Sequence, residues 1–503
     1  MKLTLRVTAL LLAIVLLLPA CTAFASNDGD FTTYTYNYDY WNDEIDMPDA
    51  YRVDQVLYSG TLNLEVPMNK PQSLFVQGNY LYVADTGNNR VIEILNDNGT
   101  YTVTDIIDRI AGAEPETLNS PNDVYVDESG NIYICDTNNY RVICADSEKN
   151  YIKSFLRPDD STFKEVGDFL PTKLVVDVSG RVYCLAKNVN KGLVKYEADC
   201  TFAGFIGANP VIYTMWDYVW KTFFTTKAQR AQQESFVPTE YSNIAIDEDG
   251  FIYATNAVFS EYDLMWDNAK PIRRLNSIGN DILIKNGWVP PIGDLYWEEQ
   301  SIEYGPSKFY DIAVLENDIY VAYDKTRGRL FGYDSQGFLL WAFGSKGNSE
   351  GTANSGISVE NMGRDLYTLD ELGSAITVFT PTDYGNLIFD ATDRYLKGDY
   401  DGSADTWREV LKYNANYNLA FIGIGRALMR QENYGEAMDY FEMAHDRENY
   451  GRAYRYYRKE NAEDRIGWVV AGIAVVVVLS VTVKTVRKMK REVDEYERKK
   501  AGR

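Results

Sequence analysis

The chain has 503 residues, with 73 Asp and Glu against 50 Lys and Arg, a net charge of −23, five cysteines and one histidine. So negative a chain repels nucleic acid and anionic lipid headgroups, which removes both as partners of its exposed part. The single histidine, His445, falls in a helical segment near the C-terminus, so a Ser-His-Asp triad, a Cys-His dyad and a histidine-ligated zinc site are excluded from the region upstream.

Residues 1–25 carry Lys2 and Arg6, an apolar run from Thr8 to Leu18 and then small residues, the order of a cleavable export signal. Ala23-Phe24-Ala25 fits a small-x-small cleavage site, whereas Leu18-Pro19-Ala20-Cys21 resembles a bacterial lipobox with an unusual Pro. Cleavage after Ala25 is favoured because a second anchor follows. Residues 26–50 are acidic and aromatic, with Tyr34, Tyr36, Tyr38, Tyr40 and Trp41 spaced among carboxylates. They are expected to lie across a face of the fold or to order on binding. Aromatic rings beside carboxylates suit sugars, so Tyr38 and Trp41 are candidate ligand contacts.

From residue 51 to 383 a hydrophobic-Tyr step recurs at Leu81-Tyr82, Ile132-Tyr133, Val182-Tyr183, Ile252-Tyr253, Ile319-Tyr320 and Leu366-Tyr367. Short alternating strands separated by Gly, Asn and Asp turns flank most copies. Such a period of roughly 50 residues reads as four-stranded sheets arranged radially. The fold class is therefore mainly β, a six-bladed β-propeller, followed by an all-α region and one transmembrane helix. The sixth copy runs out of strands after Ile376-Thr-Val-Phe-Thr380, and residues 52–59 alternate like an outer strand. The segment 51–67 is expected to close the ring, since an open blade would expose a sheet edge.

Residues 209–237 interrupt the repeat with Tyr213, Trp216, Tyr218, Trp220, Phe223 and Phe224, several of which fall on one helical face. Packing against the propeller's side is one reading. A partner platform is the other, and it makes Tyr213, Trp216, Trp220 and Phe223 candidate contacts.

The stretches Leu81-Tyr-Val-Ala-Asp-Thr-Gly-Asn-Asn-Arg-Val91 and Ile132-Tyr-Ile-Cys-Asp-Thr-Asn-Asn-Tyr-Arg-Val142, preceded by Pro71 and Pro121, resemble the NHL repeat of six-bladed propellers. The match fades later: Leu185-Ala-Lys187 and Leu369-Asp-Glu371 replace the Asp-Thr step. Asp85 with Arg90, and Asp136 with Arg141, are assigned to turn capping and ion pairing inside the blade. The NHL-like lyases that depend on histidine ligands have no counterpart here. An enzyme reading is left with Ca²⁺ held by Asp, Glu and Asn oxygens in the central channel, as in gluconolactonase-like propellers.

From about Asn386 the period becomes helical. Gly398-Asp-Tyr400 and Glu432-Asn-Tyr434 lie 34 residues apart, as do Trp407 and Phe441. This resembles two tetratricopeptide (TPR) units, 384–417 and 418–450, although Ser403 and Val410 replace the usual alanines of the first. A charged helix, 451–465, leads to Ile466–Val483, 18 residues without a charge that suffice to cross a core of ~30 Å. The tail 484–503 holds nine Lys and Arg against four acids, which places it in the cytoplasm. Apart from the signal and the tail, 39 basic residues face 69 acidic ones. Four cysteines remain after the signal, too few for a disulfide scaffold. Cys135 and Cys144 are not expected to bridge, because Cys135 should face roughly Arg141 across the sheet.

The sequence thus describes a receptor or scaffold in the cell membrane, extracytoplasmic except for its tail. It is expected to bind a protein or carbohydrate ligand without a cofactor, and by analogy to serve a transporter or envelope complex. The alternative is a Ca²⁺-dependent hydrolase or lyase.

Overall fold

A computed structural model describes residues 32–160, 163, 168–187, 189, 191–207, 241–259, 263–264, 269–285, 290–294 and 305–502. The export signal and the 209–237 insertion lie outside the described residues. Contacts divide the chain into two compact units with their boundary between Asn386 and Leu387.

The first unit is a six-bladed β-propeller. Its inner strands are Ser73–Gln77, Pro121–Val126, Leu170–Val176, Asn243–Ile246, Phe309–Val314 and Gly356–Met362. Each contacts the inner strand of the next blade, and the sixth contacts the first, so they close a ring. Within a blade the strands run antiparallel outward from the axis. The local cause is legible at the turns. In Asp127-Glu-Ser-Gly130 the Asp127 carboxylate accepts from the N–H groups of Ser129 and Asn131, both at 2.9 Å. Gly130 takes φ +82°, which a side chain would resist, and returns the chain into the next strand.

Burial follows the wedge between neighbouring sheets. Leu74, Leu81 and Ile92 of the first blade pack against Leu57, Ile357 and Ile376 of the sixth. Each sheet buries both faces, which explains runs such as Ile132–Asp136 in which every residue is inaccessible.

The sixth blade draws on two distant stretches of chain. Its inner three strands end at Pro381, and Tyr51–Tyr58 pairs antiparallel with Ala375–Pro381 as the outermost strand. Tyr51 is fully buried, stacked on Phe343 at 5.1 Å and set against Trp341 at 4.9 Å. Its hydroxyl donates to the carbonyl of Arg364 at 2.9 Å.

The aromatic N-terminal segment departs from expectation. It neither crosses a face nor awaits a ligand: Tyr36–Tyr38 and Glu44–Asp46 form a hairpin that extends the fifth blade beyond its fourth strand, Leu339–Phe343. An outer strand has unsatisfied backbone groups, and Asn37 Nδ2 donates to two of them, the carbonyls of Leu339 (2.8 Å) and Leu340 (3.2 Å).

In the second unit, helices Tyr400–Tyr413, Asn418–Arg430 and Tyr434–Met443 pack successively. Gly423 lies against the indole of Trp407, and a Cβ at Gly425 would come within 2.7 Å of the Phe441 ring, so glycine permits the close approach. The last helix, Arg447–Ala501, is capped by Asp446, which accepts from Asn449 N–H at 3.0 Å. It runs unbroken for 55 residues and contains an 18-residue window of mean hydropathy 2.6 with none of it buried, long and apolar enough to cross a membrane.

Tyr51→Ala should lower the unfolding free energy of the propeller by about 3–5 kcal/mol, the range for deleting a buried aromatic ring. Urea denaturation measures it; an unchanged midpoint would show that the strand contributes nothing to closure.

Candidate functional site

Six side chains at matching positions of the inner strands converge on the axis: Ser73, Asp123, Lys173, Asn243, Asp311 and Ser358. All are buried. They join the first blade to the second, the second to the third, the fourth to the fifth, the fifth to the sixth and the sixth to the first. Ser73 Oγ donates to Asp123 Oδ1 at 2.5 Å, and Asp123 Oδ2 accepts from Leu174 N–H at 2.7 Å. Asn243 Nδ2 donates to Asp311 Oδ1, while Asp311 Oδ2 accepts from Val359 N–H at 2.8 Å. Ser358 Oγ accepts from Leu74 N–H at 3.2 Å, which joins the sixth blade to the first. Lys173 Nζ lies 3.8 Å from Asp123 Oδ1 and donates to the Gln72 carbonyl at 3.3 Å.

The electrostatics follow from burial. Burial pushes the Asp311 carboxyl up to about 6, against the opposing pull of Lys173, the Ser358 hydroxyl and the N–H groups of Val359 and Ile312. Asp123 is raised for the same reason, with Lys173 and Ser73 opposing. Glu360, two residues beyond Ser358, is raised well above the usual carboxylate range by burial and by the charges of Asp311 and Asp123. Burial alone would depress Lys173, but the Asp123 and Asp311 carboxylates outweigh it and hold the ammonium.

This set does not fit Ca²⁺. A calcium site needs several oxygens free to face the ion, whereas both oxygens of Asp123 and of Asp311 accept from blade donors, and an ammonium stands beside them. Among the described residues no group of three or more His, Cys, Asp or Glu side chains is placed to hold a metal ion.

The repeat's Asp residues form a second set. Asp85 accepts from Asn69 N–H (2.7 Å), Asn88 Nδ2 (2.8 Å) and Arg90 Nε (2.7 Å). Asp136 accepts from Asn119 N–H, Asn139 Nδ2 and Arg141 Nε, all at 2.8 Å. These are the intra-blade roles expected of them. Asp324 and Asp370 repeat the latch, accepting from Lys308 N–H at 3.0 Å and Asn354 N–H at 2.8 Å. The sequence pattern had faded at these two blades.

Of the candidate contacts, Tyr38 is buried in the fifth-blade core, and its hydroxyl donates to Asp294 at 3.2 Å. Tyr36 donates to the same carboxylate at 2.5 Å, and Arg329 Nη1 lies 2.8 Å from its other oxygen. Burial makes Tyr38 a packing residue. Trp41 stands at the hairpin tip, 64% exposed, with its N–H on Asp39 Oδ1 at 2.8 Å. Tyr213, Trp216, Trp220 and Phe223 lie outside the described residues. The axial set escaped the sequence reading, yet it carries a signal: Pro71, Pro121 and Pro171 are each followed two residues later by an axial residue, Ser73, Asp123 and Lys173.

The NHL repeat model matches residues 118–144, most of the second blade. No curated protein matches the chain. Among solved structures, the chain is similar to a streptogramin B lyase (8% identity, TM-score 0.38, covering 65% of this chain and 98% of that one). It is also similar to a virginiamycin B lyase from Staphylococcus aureus (11%, 0.36, 65% and 98%). A putative gluconolactonase gives 10%, 0.39, 67% and 94%. None of these similarities bears on activity.

Because the native carboxyl of Asp311 holds its proton more tightly than an unfolded Asp near ~3.9, its contribution to stability is present at low pH and lost as pH rises through about 6. The difference amounts to about 3 kcal/mol at most. Comparison of Asp311→Asn with the parent by urea denaturation from pH 4 to 7 should show the parent losing stability relative to the variant. Parallel curves would show that Asp311 titrates normally.

Proposed function

We propose that the chain is a non-catalytic binding scaffold, exported and held in the cell membrane by its last helix, with the propeller outside and the basic tail inside. The observation that carries this reading is the axial set. Polar groups at the position where a propeller enzyme would place its chemistry are occupied in joining blade to blade. A site whose donors and acceptors are already satisfied has little to offer a reacting group.

The helical unit supports docking. Its consecutive helices with glycines at the crossings resemble TPR units, which present a groove to protein segments. The ligand is a protein or a carbohydrate, engaged through the exposed Trp41 and through the 209–237 aromatics Tyr213, Trp216, Trp220 and Phe223. A transporter or envelope complex is the kind of assembly such a tethered scaffold would serve.

Purified ectodomain, ending before Ile466, should be soluble, should leave lactones intact and should keep its melting temperature when Ca²⁺ or chelator is added. Recovery of this truncation in the membrane fraction would refute the single anchor. Lactone cleavage abolished by chelation would establish the hydrolase instead. In membranes, Trp216→Ala with Trp220→Ala should reduce cross-linking of the full chain to its neighbours several-fold without lowering the ectodomain's melting temperature. A large drop in that temperature would make both tryptophans core residues.

A further inference from the structure

The chain is acidic as a whole, yet one helix of the second unit reverses the balance. Asn418–Arg430 carries two arginines and no acidic residue. Arg426 and Arg430 stand four residues apart on one face of that helix, Arg430 exposed and Arg426 partly buried. Elsewhere in these helices a cation has a carboxylate: Lys397 lies 2.8 Å from Asp393, Arg408 lies 2.8 Å from Asp405 and Lys412 lies 2.6 Å from Glu409. Arg426 and Arg430 turn instead to Tyr395, near the end of helix Asp383–Leu396. The Arg426 guanidinium sits 4.9 Å from the centre of the Tyr395 ring, and Arg430 Nε donates to its hydroxyl at 3.4 Å. The ring of Tyr400 meets that of Tyr395 edge-on at 5.5 Å.

A tyrosine ring and hydroxyl orient a guanidinium without cancelling its charge. The effect shows on Tyr395 itself: burial would raise its hydroxyl, but the bond from Arg430 and the charges of Arg426 and Arg430 hold it below its ordinary range. Each guanidinium has five N–H donors in a planar fork, and Arg430 uses Nε on Tyr395. The pair therefore keeps donors for an outside acceptor. Side chains four residues apart on a helix start ~5–6 Å from one another, a spacing at which two forks can take neighbouring carboxylates of one short segment.

We propose that Arg426 and Arg430, positioned by Tyr395, form the docking point for an acidic segment of a partner protein, whose Asp or Glu carboxylates the two forks accept. The class of partner follows from charge. A chain of net charge −23 repels an acidic protein over most of its surface, so a segment of this kind settles where the field is locally reversed, and the surrounding repulsion fixes its approach. Single exposed ion pairs contribute little. Two bidentate pairs on arginines already held by a ring lose less freedom and add geometric selection, which suits a segment with several acids better than a lone carboxylate.

The proposal rests on the scaffold reading for its protein ligand, and the test separates the two. Full chain in phosphatidylcholine nanodiscs is treated with phenylglyoxal, which modifies accessible arginines, with and without hexaglutamate, and the modified positions are mapped by mass spectrometry. The peptide should slow modification of Arg426 and Arg430 several-fold and leave Arg408 unchanged, while hexalysine protects neither. Labelled hexaglutamate should show a saturable, salt-sensitive rise in anisotropy that Arg426→Gln with Arg430→Gln abolishes, and that Arg426→Lys with Arg430→Lys, which keeps the charge but not the fork, weakens several-fold. Equal modification with and without the peptide would overturn the site, as would equal protection by inorganic phosphate, which would make the pair a general anion trap. Protection that appears only with anionic lipid in the nanodisc would assign the arginines to headgroups, and protection that grows with chain concentration in the absence of peptide would assign them to a second copy; either overturns the proposal. Protection by hexaglutamate in a chain that cross-links to no neighbour in membranes would uphold the site and overturn the scaffold reading.

Discussion

Six sheets standing around an axis can come apart in two places: where their inner strands converge, and at the seam where the chain's two ends must meet. At the axis, the backbone N–H groups of Leu74, Leu174 and Val359 are met by Ser358, Asp123 and Asp311, each reaching from the preceding blade. At the seam, Tyr51–Tyr58 fills the outer place in a sheet whose other strands lie some three hundred residues later. The interblade cores and the loop latches presuppose these closures, because both require neighbouring sheets at a fixed height and spacing.

The charge at the axis is not an efficient way to add stability. Burying an ammonium and several carboxylates has a desolvation cost that their attraction only partly returns, and an apolar ring of equal volume would often do as well. What the polar ring adds is register. Asp123 Oδ2 meets Leu174 N–H only when the third blade stands at one position along the axis, whereas apolar side chains would tolerate sliding. Burial raises all three carboxyls, those of Asp123, Asp311 and Glu360, and Lys173 offsets it only in part, while at Glu360 the charges of Asp311 and Asp123 add to the rise.

The architecture was legible because its causes are local. The hydrophobic-Tyr steps, the Asp-x-x-Gly turns and the alternation of residues 52–59 each depend on near neighbours, and together they gave the blades. The helical boundary near Asn386 showed in the change of period. The axial set was harder to see, since its members share a position but not a chemistry: a serine, an aspartate, a lysine and an asparagine look unrelated until the ring brings them together. The N-terminal tyrosines misled for a related reason. An alternating aromatic strand is equally suited to a ligand and to a sheet edge, and only the unfilled edge of the fifth blade decides between them.

The latches explain why the repeat seemed to fade. Asp85 and Asp136 pair with an arginine five residues on, whereas Asp324 pairs with Arg327 only three residues on, at 3.4 Å. The cation moves and the motif breaks, yet the carboxylate still accepts from the loop that enters its blade. Selection for closure acts on the bond and leaves the surrounding letters free. The same reasoning locates recognition. Polar groups fixed by closure cannot also adapt to a partner, so binding falls to elements that closure does not use, such as the hairpin tip at Trp41, where a large ring stands in solvent on a turn held by Asp39.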